Sequence, residues 1–144
     1  MKILLKRAYE PPAKSDGYRV LVDRLWPRGV SKERVQLKAW LKDIAPSNEL
    51  RQWYHERPRQ WPMFRKRYLL ELADERAVAS LELLHDLAER TSTLTLVFAS
   101  RNVQYNNAVV LKELLEGARK PPASSGPLRA AASSNAKRAM RPRS

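Results

Sequence analysis

Apolar positions fall along this chain in two periods. Short runs sit near the start and again near residue 95, and long stripes at helical spacing fill the middle. Ile3, Leu4 and Leu5 predict a first strand over residues 2–9, with Arg7 near its end. Val20, Leu21, Val22 and Leu25 predict a second, buried strand. Pro27 has no N–H for a sheet ladder and closes it. Gly29 permits a tight bend, and Ser31 then caps a short helix with Glu33 in its first turn. The connection at residues 10–17 is turn-rich and short, and a parallel crossover takes about a dozen residues. The relative direction of these two strands is therefore open.

Residues 37–45 carry both periods. Leu37, Trp40, Leu41 and Ile44 fit a helix, and the alternation through Trp40, Lys42 and Ile44 fits a strand; a strand over residues 39–44 is favoured. Pro46 breaks either pattern, and Ser47 is a good cap for a helix over residues 47–55, with Leu50, Trp53 and Tyr54 on one side. Trp61, Phe64, Tyr68 and Leu72 form one stripe of a helix over residues 59–72, and Pro62 is acceptable in its first turn. A third helix over residues 76–90 turns Val78, Leu81, Leu84, Leu87 and Ala88 inward. Residues 93–99 read as the clearest strand. A helix over residues 103–115 follows, apolar at Ala108, Val109, Leu111, Leu114 and Leu115, with Gly117 as its stop. The expected fold is a single compact α/β domain over residues 1–117, with a small central, mostly parallel sheet flanked by helices.

Beyond residue 117 the pattern stops. Pro, Ser, Ala and cations alternate with almost nothing to bury, which predicts a disordered basic tail over residues 118–144. The formal net charge is +13, and the tail holds seven cations and no acid. More than half of the basicity is therefore a property of the tail, which weakens any inference from charge to the folded part. There is no cysteine, which excludes disulfides, thiolate metal sites and a thiol nucleophile. This composition fits a reducing compartment and predicts a cytoplasmic protein. The first apolar stretch is too short for a signal peptide, and no apolar run nears the roughly 20 residues of a membrane helix, so no membrane partner is expected. Two histidines without a tight acid cluster make no metal site, and no phosphate-binding glycine loop is present.

Four segments carry a family resemblance. They are residues 16–29 (DGYRVLVDRLWPRG), residues 40–47 (WLKDIAPS), residues 106–111 (NNAVVL), and the set Trp61, Phe64, Arg67 and Tyr68. Together they resemble the YeaO-like branch of the domain of unknown function 488, over about residues 1–116. The resemblance implies a compact bacterial α/β domain and no established activity or cofactor. Other branches carry an Asp-Val-Arg-x-x-Pro segment, which residues 23–27 match imperfectly, and a segment with Cys and His after the last strand. Here that region has neither, and Tyr105 stands where the resemblance implies a His.

Open α/β sheets place ligands at the carboxyl ends of their strands. Three segments converge on such an edge: Arg7; Arg24, Trp26, Arg28 and Lys32; and Ser100, Arg101, Asn102, Asn106 and Asn107, with Lys42 nearby. Guanidinium groups there would bind phosphate or carboxylate, and the expected partner is a small anionic ligand, with hydrolase- or transferase-type chemistry as an option. Alternatively, Arg24 pairs with an acid such as Asp43, and Arg28 sits in solvent. Asp23 is a weak candidate for an acid or base and Asp43 a weaker one, and Ser100 lacks a nearby base in the sequence. Trp53 and Trp61 belong to core stripes, whereas Trp26, at a strand end, could stack on a ligand. The second functional reading is a non-catalytic protein that binds nucleic acid non-specifically through the tail. The sequence gives neither a ligand identity nor an oligomeric state.

Overall fold

The computed structural model describes residues 2–117; the expected tail at residues 118–144 lies outside them. Four strands are present among the described residues: β1 (Lys2–Arg7), β2 (Tyr18–Leu21), β3 (Ala39–Trp40) and β4 (Thr93–Phe98). The helices are α1 (Lys32–Val35), α2 (Asn48–Glu56), α3 (Trp61–Glu71), α4 (Glu75–Arg90) and α5 (Asn107–Gly117). The strands form one sheet in the order β1-β4-β2-β3, and every pair is parallel. The expected α/β fold is present, and the open direction of the first two strands resolves in an unanticipated way. They do not pair: β4 inserts between them, with Leu96 opposite Leu5 on one side and Val20 on the other. Gly17 makes the entry into β2 possible. It adopts φ +64°, and a Cβ there would sit 2.4 Å from the carbonyl oxygen of Thr93.

The two faces of the sheet are unequal. Val20, Val22, Leu94, Leu96 and Phe98 face one layer of helices and join Leu50, Phe64, Tyr68, Leu84 and Leu111 in the main core. Leu21 and Val97 face the other way, into a smaller cluster with Ala8, Val30 and Val35 under α1. A buried ionic group completes that thin face. Arg19 donates to Asp16 at 2.7 Å and twice to the Val35 carbonyl, and Lys6 reaches Asp16 at 3.1 Å. Burial pushes the Asp16 pKa up, but the Ala13 N–H, Lys6 and Arg19 together hold it below its ordinary value.

Several boundaries differ from expectation, each for a local reason. The second strand ends at Leu21, although Val22 still donates to Val97, and Leu25 is 54% exposed rather than buried. β1 ends at Arg7, where Glu10 accepts the Arg7 N–H and turns the chain. The strand expected over residues 39–44 lasts two residues, then tightens into a 3₁₀ turn at Lys42–Ile44 whose Ile44 carbonyl takes the buried Tyr68 hydroxyl. α2 starts on its expected cap, Ser47, and α4 starts at Glu75, one residue before the expected 76, on the unanticipated cap Asp74, while Val78, expected inward, is turned outward at 40% exposure. The last helix begins at Asn107, four residues late. Asn102 accepts the N–H groups of Gln104 and Tyr105 and folds residues 102–106 into turns, leaving Val103 57% exposed.

Candidate functional site

The carboxyl edge of the sheet is built around Asp23, just past β2. Its carboxylate accepts the Ala99 N–H at 2.8 Å, at the exit of β4, and the Asn107 side-chain amide at 3.1 Å, at the start of α5. Asn107 also donates to the Val22 carbonyl at 2.9 Å, and Trp40 donates its indole N–H to the Asp23 carbonyl at 2.7 Å. One residue thus ties together the ends of β2, β3 and β4. Burial raises the Asp23 pKa; the Ala99 N–H, the Asn107 amide and the charge of Arg51 on α2 oppose the rise. A carboxylate held by two donors inside this knot is a structural hub rather than a group exposed to a substrate.

The cations around the hub divide into two kinds. Arg7 donates from Nε to the Ser100 carbonyl at 2.9 Å and from Nη2 to the Ala99 carbonyl at 3.1 Å. Its guanidinium is therefore held across the exit of β4, and Nη1 has no protein partner among the described residues. Arg24 turns away from the hub and donates to the Pro46 and Ala45 carbonyls at 3.2 and 3.0 Å. It pairs neither with Asp43 nor with Arg7. Arg28, Lys32 and Arg101 are exposed. Lys42 lies over the Trp40 ring at 4.2 Å, and Trp40 meets Trp26 edge to face at 5.3 Å. Trp26 in turn donates its indole N–H to the Val30 carbonyl, which fixes the ring's orientation within its own loop.

The Ser100–Asn107 segment is held mainly by itself. Ser100 accepts the Asn102 N–H, and Asn106 donates to the Asn102 carbonyl while accepting the Val109 N–H that opens α5. Asn106 is thus a buried cap and Asn107 a buried clamp on Asp23. The structure brings together Arg7, Asp23, Ser100 and Asn107; it places Arg24 on the carbonyls before α2 and leaves Arg28, Lys32 and Arg101 exposed. Sequence reasoning missed Arg51 and Tyr54. Tyr54 on α2 donates its hydroxyl to the Tyr105 carbonyl, which makes α2 a wall of this edge. Only three-dimensional packing reveals that, because α2 reads as an ordinary amphipathic helix.

The described serine hydroxyl that donates to a carboxylate is Ser47, on Glu71 at 2.7 Å, and the same hydroxyl caps α2. Ser100 has no histidine partner, His55 is exposed on α2, and His85 faces Glu89 on α4. The described residues also hold no group of three metal-ligating side chains. A cleft of about 310 Å³ opens beside Arg24 rather than over Asp23. Asp43, Glu71 and Asp74 outnumber Arg24 in its lining, and Glu71 is engaged with the N–H and hydroxyl of Ser47. Its charge does not suit an anion.

A family model described as the inactive DUF488-N3 subclade matches residues 2–134. An uncharacterized protein of Mycobacterium tuberculosis strain H37Rv is 43% identical over 116 residues, covering 81% of this chain and 95% of that protein. The uncharacterized protein YeaO of Escherichia coli K12 is 44% identical over 115 residues, covering 80% of this chain and 97% of that protein. No solved structure matches the chain significantly.

Proposed function

This chain belongs to the inactive DUF488-N3 subclade, and we propose that it is a non-catalytic binding domain that takes a small phosphate- or carboxylate-bearing ligand at the carboxyl edge of its sheet. The observation that carries this reading is Arg7. Two backbone carbonyls fix its guanidinium over the β4 exit, so its remaining donors meet an anion with little further loss of side-chain freedom. Arg28, Lys32 and Arg101 supply exposed charge, and the half-buried carboxylate, Asp23, is already engaged by Ala99 and Asn107. The description of the family as inactive supports the non-catalytic part of this reading. No helix among the described residues is long and apolar enough to cross a membrane; residence in the cytoplasm, consistent with the lack of cysteine, is part of the same proposal.

Thermal unfolding of the full chain with inorganic phosphate and with citrate tests it. Both anions raise the melting temperature of the wild type at constant ionic strength. Arg7→Gln combined with Arg28→Gln removes the increase while leaving the anion-free melting temperature within a few degrees. An undiminished increase in that variant refutes the site. Arg24 is left out of this test because its guanidinium lies on the carbonyls of Ala45 and Pro46, apart from the Arg7 carbonyl pair.

A further inference from the structure

Residues 24–42 hold six cations and one acid, and a second basic surface is assembled from two other segments. Residues 51–67 and 99–107 hold seven cations and one acid, and the rest of residues 1–117 balances at fourteen of each. These two segments are far apart in sequence, yet the fold joins them. Tyr105, from the β4–α5 loop, packs against Trp61 of α3 with ring centroids 5.3 Å apart, and its carbonyl accepts the Tyr54 hydroxyl at 3.1 Å. Tyr105 remains 46% exposed, with Met63 at 40% and Val103 at 57% beside it in sequence or on the same elements. Arg57 and Arg59 immediately precede Trp61, and Arg101 precedes Tyr105 by four residues.

We propose that this joined surface binds single-stranded nucleic acid, with Tyr105 as the stacking ring and Arg57, Arg59 and Arg101 on the phosphates. A base has an apolar face and is linked to a phosphate, so it needs an open aromatic ring with cations within a few ångströms of chain reach. The surface supplies both, and its cations are not neutralised from within. Of the seven, Arg65 is paired with Glu113 and Arg57 makes one long contact of 3.5 Å with Glu56. Arg57 and Arg67 also lie over the Trp53 ring, at 5.4 and 4.4 Å, which props their guanidinium groups against α2. An acidic peptide would meet the charge but gain little from the exposed ring. A duplex would hide its bases from it. The surface shares Arg101 with the small-anion site but uses neither Arg7 nor Arg28, so variants at Tyr105, Arg57 and Arg59 test it apart from that site.

The test is fluorescence anisotropy of the full chain with a labelled oligothymidylate of about 20 nucleotides across a salt series. Tyr105→Ala weakens binding by about tenfold, within the range expected of one stacked base, and Tyr105→Phe restores it. Arg57→Gln with Arg59→Gln lowers the slope of log K against log salt by about 1.4, the release expected from two phosphates on a single strand. Those effects persist when Arg129, Lys137, Arg138, Arg141 and Arg143 are all replaced by Gln, and Arg7→Gln with Arg28→Gln leaves them unchanged. Melting temperatures of the variants separate lost contacts from lost fold. Three results overturn the inference: no binding by the wild type, loss confined to the tail substitutions, or equal affinity for duplex DNA or polyglutamate.

Discussion

At the scale of single residues, two aspartates with opposite electrostatic fates define the molecule. Asp16 is buried with Arg19 and Lys6, and its net pKa is lowered because the donors around it outweigh desolvation. A lowered folded-state value means that its stabilising contribution is complete above the ordinary carboxylate pKa. It is lost as pH falls below about 4 and through the folded value. Asp23 is displaced the other way, so its charge opposes folding at neutral pH and that penalty eases on acidification. Replacing Asp16 with Asn strands the guanidinium of Arg19, whose side chain is 5% exposed, and costs roughly 3–5 kcal/mol in denaturant unfolding at pH 7. The deficit shrinks when the same measurement is made near pH 3. A loss below about 1 kcal/mol at pH 7 would show that the pair is not stabilising the thin face.

At the scale of elements, the caps decided how much could be read in advance. Ser47 caps α2 as expected because a short polar side chain before an amphipathic stripe has one dominant local use. Ser47 does more than its local role. Its hydroxyl accepts the Leu50 N–H at 3.1 Å and donates to Glu71 at the end of α3 at 2.7 Å, joining the start of α2 to α3. Ser47→Ala costs about 1–2 kcal/mol in chemical denaturation, and Glu71→Gln, which keeps an acceptor, costs less. Equal losses would show that the ionic partner, not the cap, holds the junction. The start of α5 was less legible because Asn102, Asn106 and Asn107 are chemically interchangeable in sequence. One folds a turn, one caps the helix, and one reaches across to Asp23. Arg7 and Arg24 were equally ambiguous. Both were expected at a shared hollow, yet each binds a different pair of carbonyls, and no spacing rule tells a guanidinium which backbone it will meet.

At the scale of the whole molecule, the insertion of β4 between β1 and β2 makes folding depend on the ends of the described chain meeting. β4 is the last strand, and it pairs with both of the first two, so the sheet is not closed until residue 98 has been placed. Strand periods located all four strands, though the third shrank to two residues and the second stopped at Leu21, and period carries no information about which strand lies between which. The sheet's faces are equally unbalanced in strength. The helix-covered face joins eighteen buried residues in one cluster, and the α1 face joins five, with the Asp16–Arg19 pair in place of further apolar packing. Local opening follows buried apolar contact, so the thin face opens first. Native-state hydrogen exchange should find the Leu94, Leu96 and Phe98 amides among the slowest, exchanging only with global unfolding. Amides of residues 30–37 should exchange through a smaller opening with little dependence on denaturant. Asp16→Asn should quicken that second group by more than it quickens the first. Equal protection on both sides of β2 would mean that the polar network stabilises its face as firmly as the helices stabilise theirs.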